Sequence, residues 1–312
     1  MKKNSLALFA LALTFIATST IFIACLSSPD DPEYPPLLEV LRAETSISTF
    51  VKALERSDFL GNRLEDVDYT ILAPDNDAFS AYLTASGFGS VDSIPLPLLN
   101  HLINYHYQFG YAPAENITSN YYASPSAAGF GGTRLVLFVE SLATGLFFNG
   151  DAEVVQSNIK ADKSIIHIID KVLTLPNAMD IIIQNKEFSR ARQAMEKTDL
   201  DALLKNPNPY TVLVPTNTAF NLYVSLNNGY NSFDDIPKDT LTRLMRFHLI
   251  AGNIKLDSLS TRSFPTQLAG SSLAFTPQIT GSLRVGNQAD ILLGDIQGTN
   301  GIVHAIDRVL VP

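Results

Sequence analysis

The first clear pattern in the chain is a set of apolar residues at helical spacing, made up of Ile47, Phe50, Val51 and Leu54. Positions i, i+3, i+4 and i+7 fall on one face of a helix, so this pattern predicts an amphipathic helix, with Thr45 or Ser46 as its N-cap. The short apolar stretch from Tyr69 to Ala73 then meets Pro74 and Asp75. This order predicts a strand followed by a second helix, which Asp75 caps.

Strand-like segments dominate the region that follows residue 130. Leu135 to Val139 and Leu146 to Phe148 are apolar and rich in β-formers, and the segment from Ser141 to Gly145 separates them. Such spacing predicts a hairpin. Helices followed by hairpins indicate an α+β fold in which helices pack on a sheet or sandwich.

The whole pattern occurs twice along the chain. Tyr69–Phe79 (YTILAPDNDAF) recurs as Tyr210–Phe220 (YTVLVPTNTAF), and the strand IIHIIDKVL around His167 recurs as IVHAIDRVL around His304. Thr216 takes the place of Asp75 in the second copy and is likewise predicted to cap the helix that follows. A repeat this long is a whole domain and not a solenoid unit. We therefore predict two tandem domains, residues 37–176 (domain 1) and residues 177–312 (domain 2).

The N-terminus has the features of a secretory signal over residues 1–24. Lys2 and Lys3 precede an apolar stretch from Leu6 to Ala24, and Phe22-Ile23-Ala24-Cys25 resembles a bacterial lipobox. This resemblance predicts cleavage before Cys25 and a thioether-linked diacylglycerol on its thiol. The alternative is an uncleaved membrane helix, because the apolar stretch is nearly long enough to span a bilayer.

Residues 25–36 are rich in proline and acidic side chains, a composition that forms neither a helix nor a core strand. We interpret them as a tether. Its acidic residues resemble the surface-export signals of Bacteroidetes lipoproteins, and a plain solvated spacer is the alternative. Together with Cys25, the segment predicts a protein that is lipid-anchored to the outer membrane and exposed at the cell surface.

Composition and motifs narrow the chemistry further. The chain has 312 residues, a net charge of −9, one cysteine and no tryptophan. The negative charge argues against a nucleic-acid partner, and a single cysteine excludes an internal disulfide. The sequence contains no Gly-x-Ser-x-Gly elbow, and Gly129–Gly132 lacks the Lys-Ser/Thr of a phosphate-binding loop. We expect no catalytic residue, cofactor or metal, and we interpret His106, His167, His248 and His304 as structural.

Three motifs occur in order in each copy and carry a family resemblance. They are Thr-x-Leu-x-Pro-x-Asn-x-Ala-Phe, a Tyr-His or Phe-His pair in the middle helix, and the closing strand, which is most complete at Asn300–Leu310. The chain resembles tandem fasciclin (FAS1) domains over nearly all of its length after the tether. The resemblance implies a wedge-shaped β-sandwich of about seven strands with packed helices. It also implies adhesion or matrix binding without catalysis.

Two segments are candidates for ligand binding. The resemblance implies that Asp295-Ile296 matches a dipeptide that contributes to integrin recognition in animal members, and the alternative is that Ile296 is a core residue beside a solvated Asp295. The other candidate is a tyrosine-rich segment of domain 1, in which we single out Tyr107, Tyr111, Tyr121 and Tyr122. Amphipathic aromatic side chains are common at binding hot spots.

These observations predict a non-enzymatic adhesion or ligand-binding lipoprotein whose partner is an extracellular protein or polysaccharide. One alternative is an accessory binding subunit of an outer-membrane glycan-uptake system. A hydrolase acting on an extracellular polymer is the other, and it would need a compact carboxylate–histidine site that the sequence does not contain.

Overall fold

A computed structural model of the protein describes residues 34–62, 67–227, 229–279 and 281–312. The predicted signal and the lipidation site at Cys25 lie outside these residues. Within the part of the chain that is described, no helix is long and apolar enough to cross a membrane.

Among its described residues, domain 1 contains five α-helices and seven strands. The helices are α1 (Leu37–Ala43), α2 (Ser48–Arg56), α3 (Phe59–Asn62), α4 (Asn76–Ala85) and α5 (Leu96–Tyr105). The strands are β1 (Tyr69–Pro74), β2 (Tyr107–Phe109), β3 (Asn120–Ala123), β4 (Val136–Leu142), β5 (Gly145–Phe148), β6 (Ala152–Ala161) and β7 (Ser164–Ile169).

Domain 2 repeats this order with one additional short helix. Its helices are α6 (Ala178–Gln184), α7 (Ser189–Lys197), α8 (Asp201–Lys205), α9 (Asn217–Leu226), α10 (Lys238–Phe247) and α11 (Leu256–Leu259). Its strands are β8 (Tyr210–Pro215), β9 (Leu249–Ala251), β10 (Ser263–Pro265), β11 (Ser272–Pro277), β12 (Leu283–Val285), β13 (Ala289–Gln297) and β14 (Gly301–Ile306).

Each domain is built on one seven-stranded sheet. The strand order is β2-β1-β7-β6-β5-β4-β3 in domain 1, and β9-β8-β14-β13-β12-β11-β10 in domain 2. The closing strand of each repeat lies parallel to the strand of the Tyr69 or Tyr210 motif. β1, β7 and β14 are buried along their whole length, and β8 is buried after Tyr210, because helices cover one face and the outer hairpin strands cover the other. The predicted α+β fold with two tandem domains is confirmed.

The helix caps follow the sequence prediction in two of three places. Asp75 accepts a hydrogen bond from the Ala78 amide at 2.7 Å, and Thr216 accepts one from the Ala219 amide at 3.2 Å. The prediction that Thr45 or Ser46 caps α2 is wrong. Those residues form a 3₁₀ turn ahead of the helix, and the side chain of Glu44 caps that turn.

At the start of each domain, the chain makes an equivalent backbone hydrogen bond. The carbonyl of Pro35 accepts a hydrogen bond from the Asp162 amide at 2.9 Å, and the carbonyl of Pro176 accepts one from the Thr299 amide at 2.8 Å. Both bonds tie the incoming chain to the turn before the closing strand. The end of the tether is therefore hydrogen-bonded to domain 1 in the same way as the end of domain 1 is hydrogen-bonded to domain 2.

Candidate functional site

The closing strand of each domain carries a buried histidine that fixes a bulge in the neighbouring strand. In domain 2, the amide of Asp295 donates to His304 Nδ1 at 3.0 Å, and His304 Nε2 donates to the carbonyl of Ile254 at 3.0 Å. In domain 1, Asn158 and the carbonyl of Ala112 make the same contacts with His167, at 3.3 and 2.9 Å. Each ring is neutral, since Nδ1 accepts and Nε2 donates.

A second buried histidine in each domain ties the middle helix to the chain after the closing strand. His106 Nδ1 donates to the carbonyl of Leu102 at 2.8 Å, and His106 Nε2 accepts from the amide of Leu173 at 2.9 Å. His248 makes the equivalent bonds in domain 2, at 2.7 and 2.9 Å. Burial lowers the pKa of His106 and His248 to about 4. The ring nitrogens of all four histidines are therefore occupied by backbone partners.

The bulge of β13 turns Asp295 outward and Ile296 inward. Asp295 has a left-handed backbone (φ 58°), and its side chain is 43% exposed. Ile296 is buried in the core of domain 2, so it positions its neighbour and cannot itself reach a ligand. Asp295 Oδ1 accepts a hydrogen bond from the Leu256 amide at 3.0 Å and lies 4.0 Å from His304 Nδ1. This contact between Asp295 and His304 was not predictable from the sequence, because the two residues lie on different strands.

Two exposed aliphatic side chains precede Asp295 in β13. Leu292 is 59% exposed and Leu293 is 38% exposed. At the equivalent positions of domain 1 stand Val155 and Gln156, with Asn158 in place of the aspartate. We call Leu292, Leu293 and Asp295 the bulge surface. It combines apolar area with a carboxylate in domain 2 alone, and the hydrogen bond from the Asp295 amide to His304 fixes the backbone of its bulge.

The four predicted binding tyrosines are not brought together. Tyr107 is half-buried on β2, where its ring contacts Phe59, Tyr69 and Phe109. Tyr111 follows β2. Tyr121 and Tyr122 lie on β3, which is the opposite outermost strand of the same sheet. The tyrosine-rich segment therefore does not form one aromatic surface, and a role for any single tyrosine in binding stays a prediction.

Tyr121 forms part of the junction between the domains. Its ring packs against the core of domain 2, and its hydroxyl accepts a hydrogen bond from Asn185 Nδ2 at 2.9 Å. Burial raises the pKa of this hydroxyl. Replacing Tyr121 would therefore disturb the junction before it reported on a ligand.

The backbones of the two domains meet closely beside this contact. A Cβ at Gly150 would lie 2.2 Å from the carbonyl oxygen of Gln184, so only glycine fits at this position. Gly150, Gln184 and Asn185 were not predicted as functional residues from the sequence. The sequence differs between the copies at this place: Asn287 occupies the position of Gly150 in domain 2, and Ser263 occupies the position of Tyr121. This difference was the one signal that could have indicated the junction.

No group of three or more histidine, cysteine, aspartate or glutamate side chains is placed to hold a metal ion among residues 34–62, 67–227, 229–279 and 281–312. Catalytic pairing of His167 with Asp170 is also disfavoured. Asp170 Oδ1 instead accepts a hydrogen bond from the Glu153 amide at 2.7 Å. This bond fixes the first residues of β6 beside the end of β7.

Comparison with known proteins finds one family model and several relatives that match this chain. The fasciclin domain matches residues 45–176 and 186–312. An uncharacterized protein of Synechocystis is 32% identical over 138 residues, which cover 44% of this chain and 98% of the relative. Transforming growth factor-beta-induced protein ig-h3 of Sus scrofa is 25% identical over 266 residues, 78% of this chain and 35% of the relative.

A solved structure shares the fold. The FAS1 domain pair of the insect cell adhesion molecule Fasciclin I superposes with a TM-score of 0.53 at 16% identity, covering 86% of this chain and 98% of the other. At 16% identity, this similarity is evidence for the fold alone.

Proposed function

Because the chain belongs to the fasciclin family, whose domains are known in cell-adhesion and ligand-binding proteins, we propose that it is a non-enzymatic binding protein of the cell surface. A lipid on Cys25 anchors it to the outer membrane. Residues 25–36 hold the two domains away from the bilayer, and the bulge surface of domain 2 contacts an extracellular ligand.

The observation that carries this proposal is the exposure of Leu292, Leu293 and Asp295 at a bulge that is bonded to the buried His304. Exposed apolar side chains grouped around a charge are typical of interaction sites. Asp295 Oδ1 is used by the Leu256 amide, while no hydrogen bond to Oδ2 occurs within the described chain. A basic side chain of a protein ligand, flanked by apolar groups, would fit this surface.

The two copies offer a matched test of the carboxylate. Asn158 has the same left-handed backbone (φ 62°) as Asp295, and its Oδ1 accepts from the Ala114 amide at 2.9 Å. Asp295→Asn should therefore keep the bulge intact and remove only the charge. We expect binding to fall at least ~10-fold, since truncating a hot-spot charge costs about 2 kcal/mol or more.

The measurement begins with the purified protein on an array of extracellular proteins and polysaccharides. Each ligand found there is titrated against wild type, Asp295→Asn and the control Asn158→Asp. Equal affinity of wild type and Asp295→Asn would overturn the proposed surface, and so would a loss of affinity confined to Asn158→Asp.

Lipidation has a separate test. Cys25 is the single cysteine of the chain, so Cys25→Ala should abolish incorporation of labelled palmitate and leave the precursor uncleaved at this position. Normal labelling and processing of the variant would contradict the anchor.

A further inference from the structure

The two domains enclose a cleft of about 590 Å³ along their junction. Domain 1 contributes the turn between β5 and β6 and the segment after β7, and domain 2 contributes α6, Lys186 and Arg192. Ligand sites commonly have volumes of ~300–1,000 Å³ and occur preferentially between domains. The cleft lies at the junction and does not include the bulge surface.

Cationic side chains from both domains line this cleft. Lys171 comes from domain 1, and Lys186 and Arg192 come from domain 2. Lys171 pairs with Asp151 at 2.8 Å, and Arg192 pairs with Glu196 at 2.8 Å, a residue outside the cleft lining. Lys186 has no acidic partner within 4.0 Å among the described residues. The lining also includes the carboxyl groups of Asp151 and Asp180, so three cations stand against two carboxylates. In a chain of net charge −9, the side chains that line the cleft have a net charge of +1.

The repeat indicates that the fold does not require these cations. Lys186 and Arg192 correspond to Thr45 and Val51 in domain 1. The 3₁₀ turn at Thr45 and the helix α2 at Val51 form without a cation at either position. Lys186 and Arg192 are therefore particular to the side of domain 2 that faces the cleft.

The remaining polar groups of the cleft suit a ligand that carries hydroxyls beside its negative charge. Asp151 is 69% exposed and can accept from hydroxyls, and Thr174 and Gln184 add hydrogen-bonding side chains. We propose that this cleft binds a carboxylated saccharide, with Lys186 and Arg192 on its carboxylates and Asp151 on its hydroxyls. Sugar hydroxyls adjacent to a uronate carboxylate would satisfy both kinds of group at once.

Calorimetric titration of the purified protein with tetragalacturonate and with an alginate tetramer tests this proposal. The matched probe is methyl-esterified tetragalacturonate, which has the same ring and no charge. Lys186→Glu should weaken binding of the charged probes at least ~10-fold. Arg243→Glu changes the net charge equally at an exposed position of α10, outside the cleft, and should weaken binding less than ~2-fold.

Several results would overturn the site. These are failure of both charged probes to bind, equal binding of the methyl ester, equal loss in the two variants, or tighter binding of a pentaglutamate peptide. Asp295→Asn should leave affinity for the charged probes unchanged, so the cleft and the bulge surface can fail independently of each other.

Discussion

A single methyl group at position 150 should open the junction between the two domains. Gly150→Ala places a Cβ 2.2 Å from the Gln184 carbonyl oxygen, and a backbone oxygen cannot rotate away as a side chain can. Overpacking of this kind costs about 1–3 kcal/mol. The left-handed backbone at Gly150 (φ 84°) adds roughly 1 kcal/mol for alanine.

The expected result is a lower free energy of unfolding, by about 2–4 kcal/mol, and looser coupling of the domains. Urea denaturation followed by circular dichroism should show two transitions in the variant, and small-angle scattering should give a larger radius of gyration. The chain has no tryptophan, so tyrosine fluorescence is the optical probe of the junction, where Tyr121 lies.

Asn287→Ala is the matched control. Asn287 occupies the equivalent turn position of domain 2 with a left-handed backbone (φ 55°), and it is exposed. Alanine at this position should lower the free energy of unfolding by roughly 1 kcal/mol, the cost of a left-handed backbone for a residue with a Cβ. The contact between the domains should remain intact. If both variants behave alike, the contact between Gly150 and Gln184 does not hold the junction.

Mild acid should destabilise both domains through their buried histidines. His106 and His248 are fully buried and neutral, and burial lowers their pKa from 6.5 to about 4. Burial also lowers the pKa of His167 and His304. One pKa unit corresponds to about 1.36 kcal/mol, so His106 and His248 each contribute roughly 3 kcal/mol of pH dependence.

The sign follows from proton binding. Between pH 6.5 and about 4, histidines of the unfolded chain bind protons that the folded chain excludes, so the free energy of unfolding falls as the pH falls. Above the unfolded pKa the contribution is complete. Burial raises the pKa of Asp68 and Asp180, and these carboxyl groups oppose the trend only near the acidic end of the window.

Urea titrations at several pH values from neutral to mildly acidic measure this dependence. The double variant His106→Gln with His248→Gln removes two titrating groups, so its stability should change less with pH, whatever its value at neutral pH. A wild-type stability that stays constant across the window would contradict the assignment of neutral buried histidines. An unchanged slope in the double variant would contradict it as well.

Local sequence was enough to predict the repeat, the α+β class and two of the helix caps. Asp75 and Thr216 cap their helices because capping depends on neighbours within one turn. The strand–helix order of each copy is likewise encoded in short apolar spacings. Such signals act between residues close in the chain, and they can be read without knowing the partner elements.

Strand order and domain contact were decided by tertiary structure. Tyr107 and Tyr121 are near in sequence, yet β2 and β3 are the two outermost strands, with five others between them. A bulge between β13 and β14 turns Asp295 out and Ile296 in. Gly150 is required because the Gln184 backbone arrives from the next domain. Each of these outcomes depends on which distant segment packs opposite, and periodicity along one segment carries no information about that partner.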